Sequence, residues 1–222
     1  MSKMFRDRFQ AGKKLAECLV QYKDNREVIV LAIPRGGLQV GAVLAKNLGL
    51  RLDVIITKKI GHPLEKEFAI GAVSLKGKVM TKDSSVLREV SINYITKKEI
   101  ELQKVIKEKY KMYTGTETPL SYKDMVIVIT DDGTATGNTI LAAIDVVLVE
   151  HPQKIIVAIP VGPKNTVEII KQKVDELICL ETPADFFAVG QFYESFSQVE
   201  DKEAIQLLKD TNKDLDTYKK IK

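Results

Sequence analysis

Residues 125–139 read MVIVITDDGTATGNT: five apolar, mostly β-branched side chains, one threonine, two adjacent aspartates, then only glycine, threonine, alanine and asparagine. The apolar run is continuous rather than alternating, the pattern of a strand buried on both faces. After the polar turn, residues 139–149 are apolar again and helical in period. Strand, turn and helix in that order are one unit of an α/β fold. The unit recurs outward from here. Further short apolar runs lie at 28–33, 54–56, 155–159 and 177–180, with helical segments at 38–48 and 166–174 between them. The alternation predicts a doubly wound, mostly parallel sheet. Leu15, Leu19 and Tyr22 fall at helical spacing and predict a covering helix over 9–22.

Residues 61–118 break the alternation. A hairpin-like segment, EFAIGAVSLKGKVMT, precedes a charged helix in which Ile92, Ile95, Leu102, Val105 and Ile106 keep a 3.6 period. An insertion of this size beside a site is expected to be a mobile lid or a static arm. The last twenty residues mix Lys and Asp around a few Leu and Ile, as in a solvated terminal helix. One domain over residues 1–222, carrying this insertion, is the expected organisation.

Composition narrows the function. With 222 residues, 45% hydrophobic and 29% charged, the chain can bury a full core and is not disordered. A formal net charge of +4 is too slight for a nucleic-acid footprint. Cys18 and Cys179 sit in apolar stretches far from any His or second Cys, which predicts reduced core thiols and argues against zinc or a disulfide. The amino terminus is charged from the start, and no run approaches the ~18 apolar residues of a membrane span. A cytoplasmic protein is expected.

Ligands of a doubly wound sheet bind beyond the carboxyl ends of its strands. After the first run come Pro34, Arg35, Gly36 and Gly37, where paired glycines allow close backbone approach and a helix begins, so an anion is the natural guest. Only six of the 34 basic residues are Arg, and Arg35 offers a planar, permanently charged fork to phosphate oxygens. After the third run, Asp131 and Asp132 need cations or hydroxyl donors, since bare buried charges are costly. A diol or Mg²⁺ would satisfy them. The turn that follows, Gly133, Thr134, Ala135, Thr136, Gly137, Asn138 and Thr139, can enclose a phosphate with amides and hydroxyls. Carboxylate pair and phosphate cradle together suggest a ribose 5-phosphate. Rival nucleotide motifs fail on spacing: no Gly-x-x-x-x-Gly-Lys-Ser/Thr is present, and Gly36, Gly37 and Gly41 do not make Gly-x-Gly-x-x-Gly. A haloacid-dehalogenase-type phosphatase would need a nucleophilic Asp where Thr130 stands.

The segment VIVITDDGTATGNTI resembles the signature of type I phosphoribosyltransferases, which take 5-phosphoribosyl 1-pyrophosphate as ribosyl donor. FRDRFQAG, AIPRGG, KKIGHPLEKEFAIGAV and CLETPADFFAVGQFY resemble a subgroup of small bacterial members, so the resemblance covers nearly the whole chain. It implies that Asp131 and Asp132 hold the ribose hydroxyls and, through water, Mg²⁺, and that Gly133 to Thr139 bind the 5-phosphate. It further implies that Pro34 to Gly37 form the pyrophosphate loop, with Arg35 on the leaving group and Lys58 or Lys59 beside it. Asp131, Asp132, Arg35 and Lys58 would be the catalytic set. Residues 61–118 would be the lid and about 181–200 a small carboxyl-terminal hood, whose Phe187, Phe192 and Tyr193 would cover an acceptor base. The 6-oxopurine members carry an acid/base Asp where this chain has Ala135, so hypoxanthine and guanine are expected to be poor acceptors. The implied activity is transfer to a nitrogenous acceptor, a nucleobase, with release of pyrophosphate; the alternative is a non-catalytic sensor of the donor. Small-molecule partners are implied, with no nucleic acid and no membrane, and a homodimer is admitted.

Overall fold

The computed structural model describes residues 4–81 and 84–219. In chain order its elements are α1 (Arg8–Glu17), β1 (Val28–Ala32), α2 (Gly36–Leu48), β2 (Arg51–Val54), β3 (Lys58–Gly61), β4 (Ala69–Ser74), β5 (Gly77–Met80), α3 (Ser84–Arg88), α4 (Ile92–Thr114), β6 (Val126–Thr130), α5 (Asn138–Leu148), β7 (Lys154–Val161), α6 (Lys164–Lys171), β8 (Glu176–Glu181) and α7 (Asp201–Lys219). Short 3-10 turns lie at Val20–Tyr22 and Val189–Phe192.

The apolar runs form one five-stranded sheet in the order β2-β1-β6-β7-β8, and all four pairings are parallel. Both β1 and β6 are buried along their whole length. Side chains alternate between two cores, as strand geometry requires. Val28, Val30 and Ala32 pack with α1, α2 and α7, whereas Ile29 and Leu31 pack with α5 and α6. The chain leaves β1 for β2 on one side and returns to β6 on the other. That reversal opens a crevice at the carboxyl ends of β1 and β6, where this kind of sheet binds ligands.

Three boundaries differ from the sequence expectation. The second strand is 51–54, not 54–56: its register against β1 pairs Arg51 with Ile29 and Val54 with Ala32, so an edge strand here carries polar residues. The first helix stops at Glu17 and continues only as a 3-10 turn. The terminal helix is not simply solvated. Ala204 and Leu208 of α7 are buried in the main core, and Asn212 completes the outer edge of β2 by accepting from the Leu52 amide (3.0 Å) and donating to the Leu52 carbonyl (2.8 Å).

The interval between β2 and β6 builds a second, antiparallel sheet, β3-β4-β5, against α4. Ile60, Ile70 and Val73 meet Ile95 and Ile106 in a small core of their own. Farther along α4, Tyr110 and Tyr113 join the main core, so the helix ties the insertion to the body.

Candidate active site

Backbone register sets the site. Ala32 and Thr130 are paired residues at the ends of β1 and β6, and the Ile33 amide donates to the Thr130 carbonyl (2.9 Å). The loops after them, Pro34 to Gly37 and Asp131 to Gly137, therefore emerge side by side. The two glycines of the first loop answer to the two aspartates of the second. A Cβ on Gly36 would lie 1.9 Å from Asp132 Oδ2, and one on Gly37 3.0 Å from the Asp131 Cα. The start of α2 is thus packed on the chain's own carboxylates, a favourable place for negative charge.

Asp132 is held from three directions. Arg8 Nε donates to its Oδ2 (2.7 Å), Tyr193 Oη donates to its carbonyl (2.6 Å), and its own amide donates to Asp131 Oδ1 (2.8 Å). Arg8 is itself buried: its guanidinium lies over the Phe196 ring (3.7 Å) and donates to the Ser197 carbonyl (2.9 Å) and to Gln39 Oε1 (3.4 Å). Burial pushes the Asp131 carboxyl well above the ordinary carboxylate range, and the neighbouring Asp132 charge pushes the same way. Burial also raises Asp132, against the opposing pull of Arg8. One buried cation beside two carboxylates leaves a charge that a hydroxyl donor or a hydrated cation would relieve.

The turn after the aspartates is a preformed cup. Gly137 adopts a left-handed conformation at the start of α5, and among the described residues no side chain caps the first amides of that helix. Thr134 is part of the wall, accepting from the Gly137 amide (2.9 Å), and Thr166 Oγ1 fixes the Ala135 carbonyl (2.8 Å). Thr136, Asn138 and Thr139 stay exposed. Uncapped amides at a helix start are an anion site in waiting.

Beside this cup lies a cleft of about 370 Å³ lined by Pro34, Arg35, Lys58, Thr139, and, from distant parts of the chain, Lys109, Tyr113 and Asp201. Residues 34–37, Lys58 and 131–139 are therefore brought together. Lys59 is not: it points outward and pairs with Glu67 (2.6 Å). Phe192 and Tyr193 are corrected as well. Both are buried with Phe5, Ala11 and Val161, because the 190s form a bridge to the amino terminus, and Tyr193 reaches the aspartate pair only through its hydroxyl on the Asp132 carbonyl (2.6 Å). Phe187 is 89% exposed. Cys18 is exposed rather than a core thiol, and Cys179 is half-buried, its thiol pushed up to about 11 by burial. Ala135 is exposed. Among the described residues no cluster of three or more metal-ligating side chains occurs, and no helix is long and apolar enough to cross a membrane.

A parallel β2-β1-β6-β7-β8 sheet with a carboxylate pair and an uncapped helix start at its switch point defines the doubly wound α/β class whose ligand crevice lies at the carboxyl ends of the central strands. Known proteins agree: the family model of the phosphoribosyl transferase domain matches residues 3–195, and the chain belongs to the type I phosphoribosyltransferase family. Two Mycobacterium tuberculosis proteins, each named "putative phosphoribosyl transferase", are 35% identical over 214 residues, 96% of this chain. The chain spans 48% of the length of these relatives. A crystal structure of a Thermus thermophilus protein superposes with a TM-score of 0.82 at 35% identity, covering 92% of this chain and 97% of that one. Helix α7, which supplies Asp201, lies beyond the residues that the family model matches.

Proposed function

We propose that this chain transfers the phosphoribosyl group of 5-phosphoribosyl 1-pyrophosphate to a nitrogenous acceptor, a nucleobase, in an Mg²⁺-dependent reaction that releases pyrophosphate. The observation that supports this best is the placement of Arg35 and Lys58 in a cleft next to the aspartate pair and the uncapped start of α5. In the reaction the bond from the anomeric carbon to the pyrophosphate oxygen breaks, its electron pair leaves with pyrophosphate, and a bond to the acceptor nitrogen forms. The acceptor proton then passes to solvent. The amides of 138–140 would hold the 5-phosphate, and Asp131 with Asp132 would orient the ribose hydroxyls. Arg35 and Lys58 would neutralise the leaving group, which is where charge develops.

The residues fit magnesium in one way. Two carboxylates, one already engaged by Arg8, cannot enclose Mg²⁺ alone, but this ion is commonly held by one or two carboxylates plus substrate phosphates. Asp131 and Asp132 would hold it through water, and bound there it would add charge neutralisation on the diphosphate. Residues 61–118, anchored to the body through Tyr110 and Tyr113 of α4, would shield the cleft from water. With Ala135 in the phosphate loop, that position supplies no acid or base for a purine proton, and such a group is typically worth 10²–10⁴-fold. Hypoxanthine and guanine should therefore be poor acceptors. The test is a turnover screen of nucleobases with the labelled donor, reading pyrophosphate and nucleotide. Transfer to at least one base supports the reading; tight donor binding with no turnover on any base points to the sensor alternative.

A further inference from the structure

The cleft beside Arg35 holds a third cation that neither strand-end motif supplies. Lys109 comes from α4, and it lines the same cleft as Arg35 and Lys58. Its neighbours on the helix are neutralised: Lys107 and Lys111 both pair with Glu117 (2.8 Å each). Among the described residues Lys109, Arg35 and Lys58 make no ion pair and no side-chain hydrogen bond. Against these three unpaired cations the cleft lining sets one carboxylate, Asp201, so a positive excess remains that a ligand carrying several negative charges turns into attraction.

The placement of Lys109 is itself secured. Tyr113 follows it by four residues, so the two side chains share one face of α4. The Tyr113 ring is buried, and its hydroxyl donates to Asp201 Oδ1 (2.6 Å) at the first turn of α7. Burial and the Asp201 carboxylate both push the Tyr113 phenol up, so it remains a hydrogen-bond donor through the physiological range. Asp201 is therefore a fixed acceptor that pins this face of α4 toward the cleft.

We infer that Lys109 is a further ligand-binding residue of the pyrophosphate subsite, and that the Tyr113–Asp201 hydrogen bond is the positioning device that holds it over Arg35 and Lys58. This rests on the phosphoribosyl reading of the site and adds to it a contribution from the inserted helix. An exposed lysine contact to a multiply charged anion is expected to be worth about three- to tenfold in affinity.

Calorimetric titration of the full chain with inorganic pyrophosphate and, separately, ribose 5-phosphate tests it. Lys109→Ala should weaken pyrophosphate three- to tenfold and leave ribose 5-phosphate unchanged, with Lys109→Arg restoring most of the loss. Tyr113→Phe should weaken pyrophosphate less, and should add nothing in the Lys109→Ala background, because a positioning residue acts through the group it positions. Pyrophosphate affinity unchanged by Lys109→Ala but lowered by Arg35→Ala overturns the inference and leaves the functional reading intact. Losses from Tyr113→Phe and Lys109→Ala that simply add overturn the positioning role. Pyrophosphate binding that even Arg35→Ala does not weaken overturns the functional reading, and the inference falls with it.

Discussion

The two loops that meet at the centre of the sheet are finished in opposite ways. At the end of β6 the charges are closed: Asp132 is gripped by Arg8, its carbonyl by Tyr193, and its flank by the missing Cβ of Gly36. At the end of β1 the charge is left open, with Arg35 lining a cleft and making no ion pair among the described residues. A closed charge network fixes geometry before any ligand arrives, which is what orienting two ribose hydroxyls would need. Open cations hold affinity in reserve for an anion. The contrast predicts that damage to the closed network at the end of β6 shows in stability and damage to the open cations at the end of β1 shows in binding.

The largest expected effect is on the closed side. Arg8→Met should destabilise the fold by about 3–5 kcal/mol, since it leaves a buried carboxylate without its cation. The ion pair is suitably shielded, with side-chain exposures of 6% and 15%. Urea unfolding at neutral pH measures this, and adding Asp132→Asn should recover much of the loss. A single-variant cost below about 1 kcal/mol, the range of surface pairs, would break the contrast.

Gly36→Ala comes next. Its Cβ would fall 1.9 Å from one Asp132 oxygen and 2.6 Å from the carboxyl carbon, so the carboxylate or the loop must move, at about 1–3 kcal/mol. Gly37→Ala meets its nearest atoms only at 3.0 Å and should cost less. Equal stabilities for the two variants would show that the loop is free to shift.

On the open side, Arg35→Ala should change stability by no more than about 0.5 kcal/mol, as surface substitutions do. It should weaken pyrophosphate by about 1.5–3 kcal/mol, the worth of a charge-assisted contact, and leave ribose 5-phosphate nearly unchanged. Equal losses for both ligands in calorimetry would place Arg35 outside the leaving-group subsite.

The same contrast explains what could be read without coordinates. Pro34 to Gly37 and Asp131 to Thr139 are contiguous and stand where apolar runs stop, so strand ends and loop chemistry announce themselves locally. The sheet was legible for the same reason, because β1, β6 and β7 are unbroken apolar runs. Arg8 was not. It meets Asp132 across 124 residues, from a helix whose composition looks like any charged surface helix. Lys109, Tyr113 and Asp201 likewise converge only because α4 and α7 pack together. Strand β2 hid behind Arg51 and Asp53, whose polarity argues against a buried strand until Tyr110 is seen to donate to both Asp53 oxygens. In α7 the short buried stripe of Ala204 and Leu208 was outvoted by Lys and Asp. Phe192 and Tyr193 misled in the other direction, since an aromatic pair near a site reads equally well as cover or as core.

Asp53 offers the smallest and most discriminating test, because it is a buried carboxylate that a phenol, rather than a guanidinium, hydrogen-bonds. Burial raises its carboxyl, against the Val54 amide (2.8 Å), the Tyr110 hydroxyl and the charge of Arg51. A carboxyl whose folded pKa lies above its unfolded value favours the fold most at pH values below the unfolded pKa, about 3.9, and loses that contribution as pH rises through the folded pKa. At pH 8 the ionised Asp53 therefore costs stability, and Asp53→Asn, which keeps an acceptor for Tyr110, should be the more stable chain there. The advantage should shrink as pH falls and vanish near pH 4. It should be small beside the Arg8 effect, because the carboxylate keeps both of its donors, the Tyr110 hydroxyl and the Val54 amide. Urea midpoints for both chains between pH 4 and 8 measure the difference, and a gap that stays constant with pH would mean that the Tyr110 hydroxyl, the Val54 amide and Arg51 together offset the burial of Asp53.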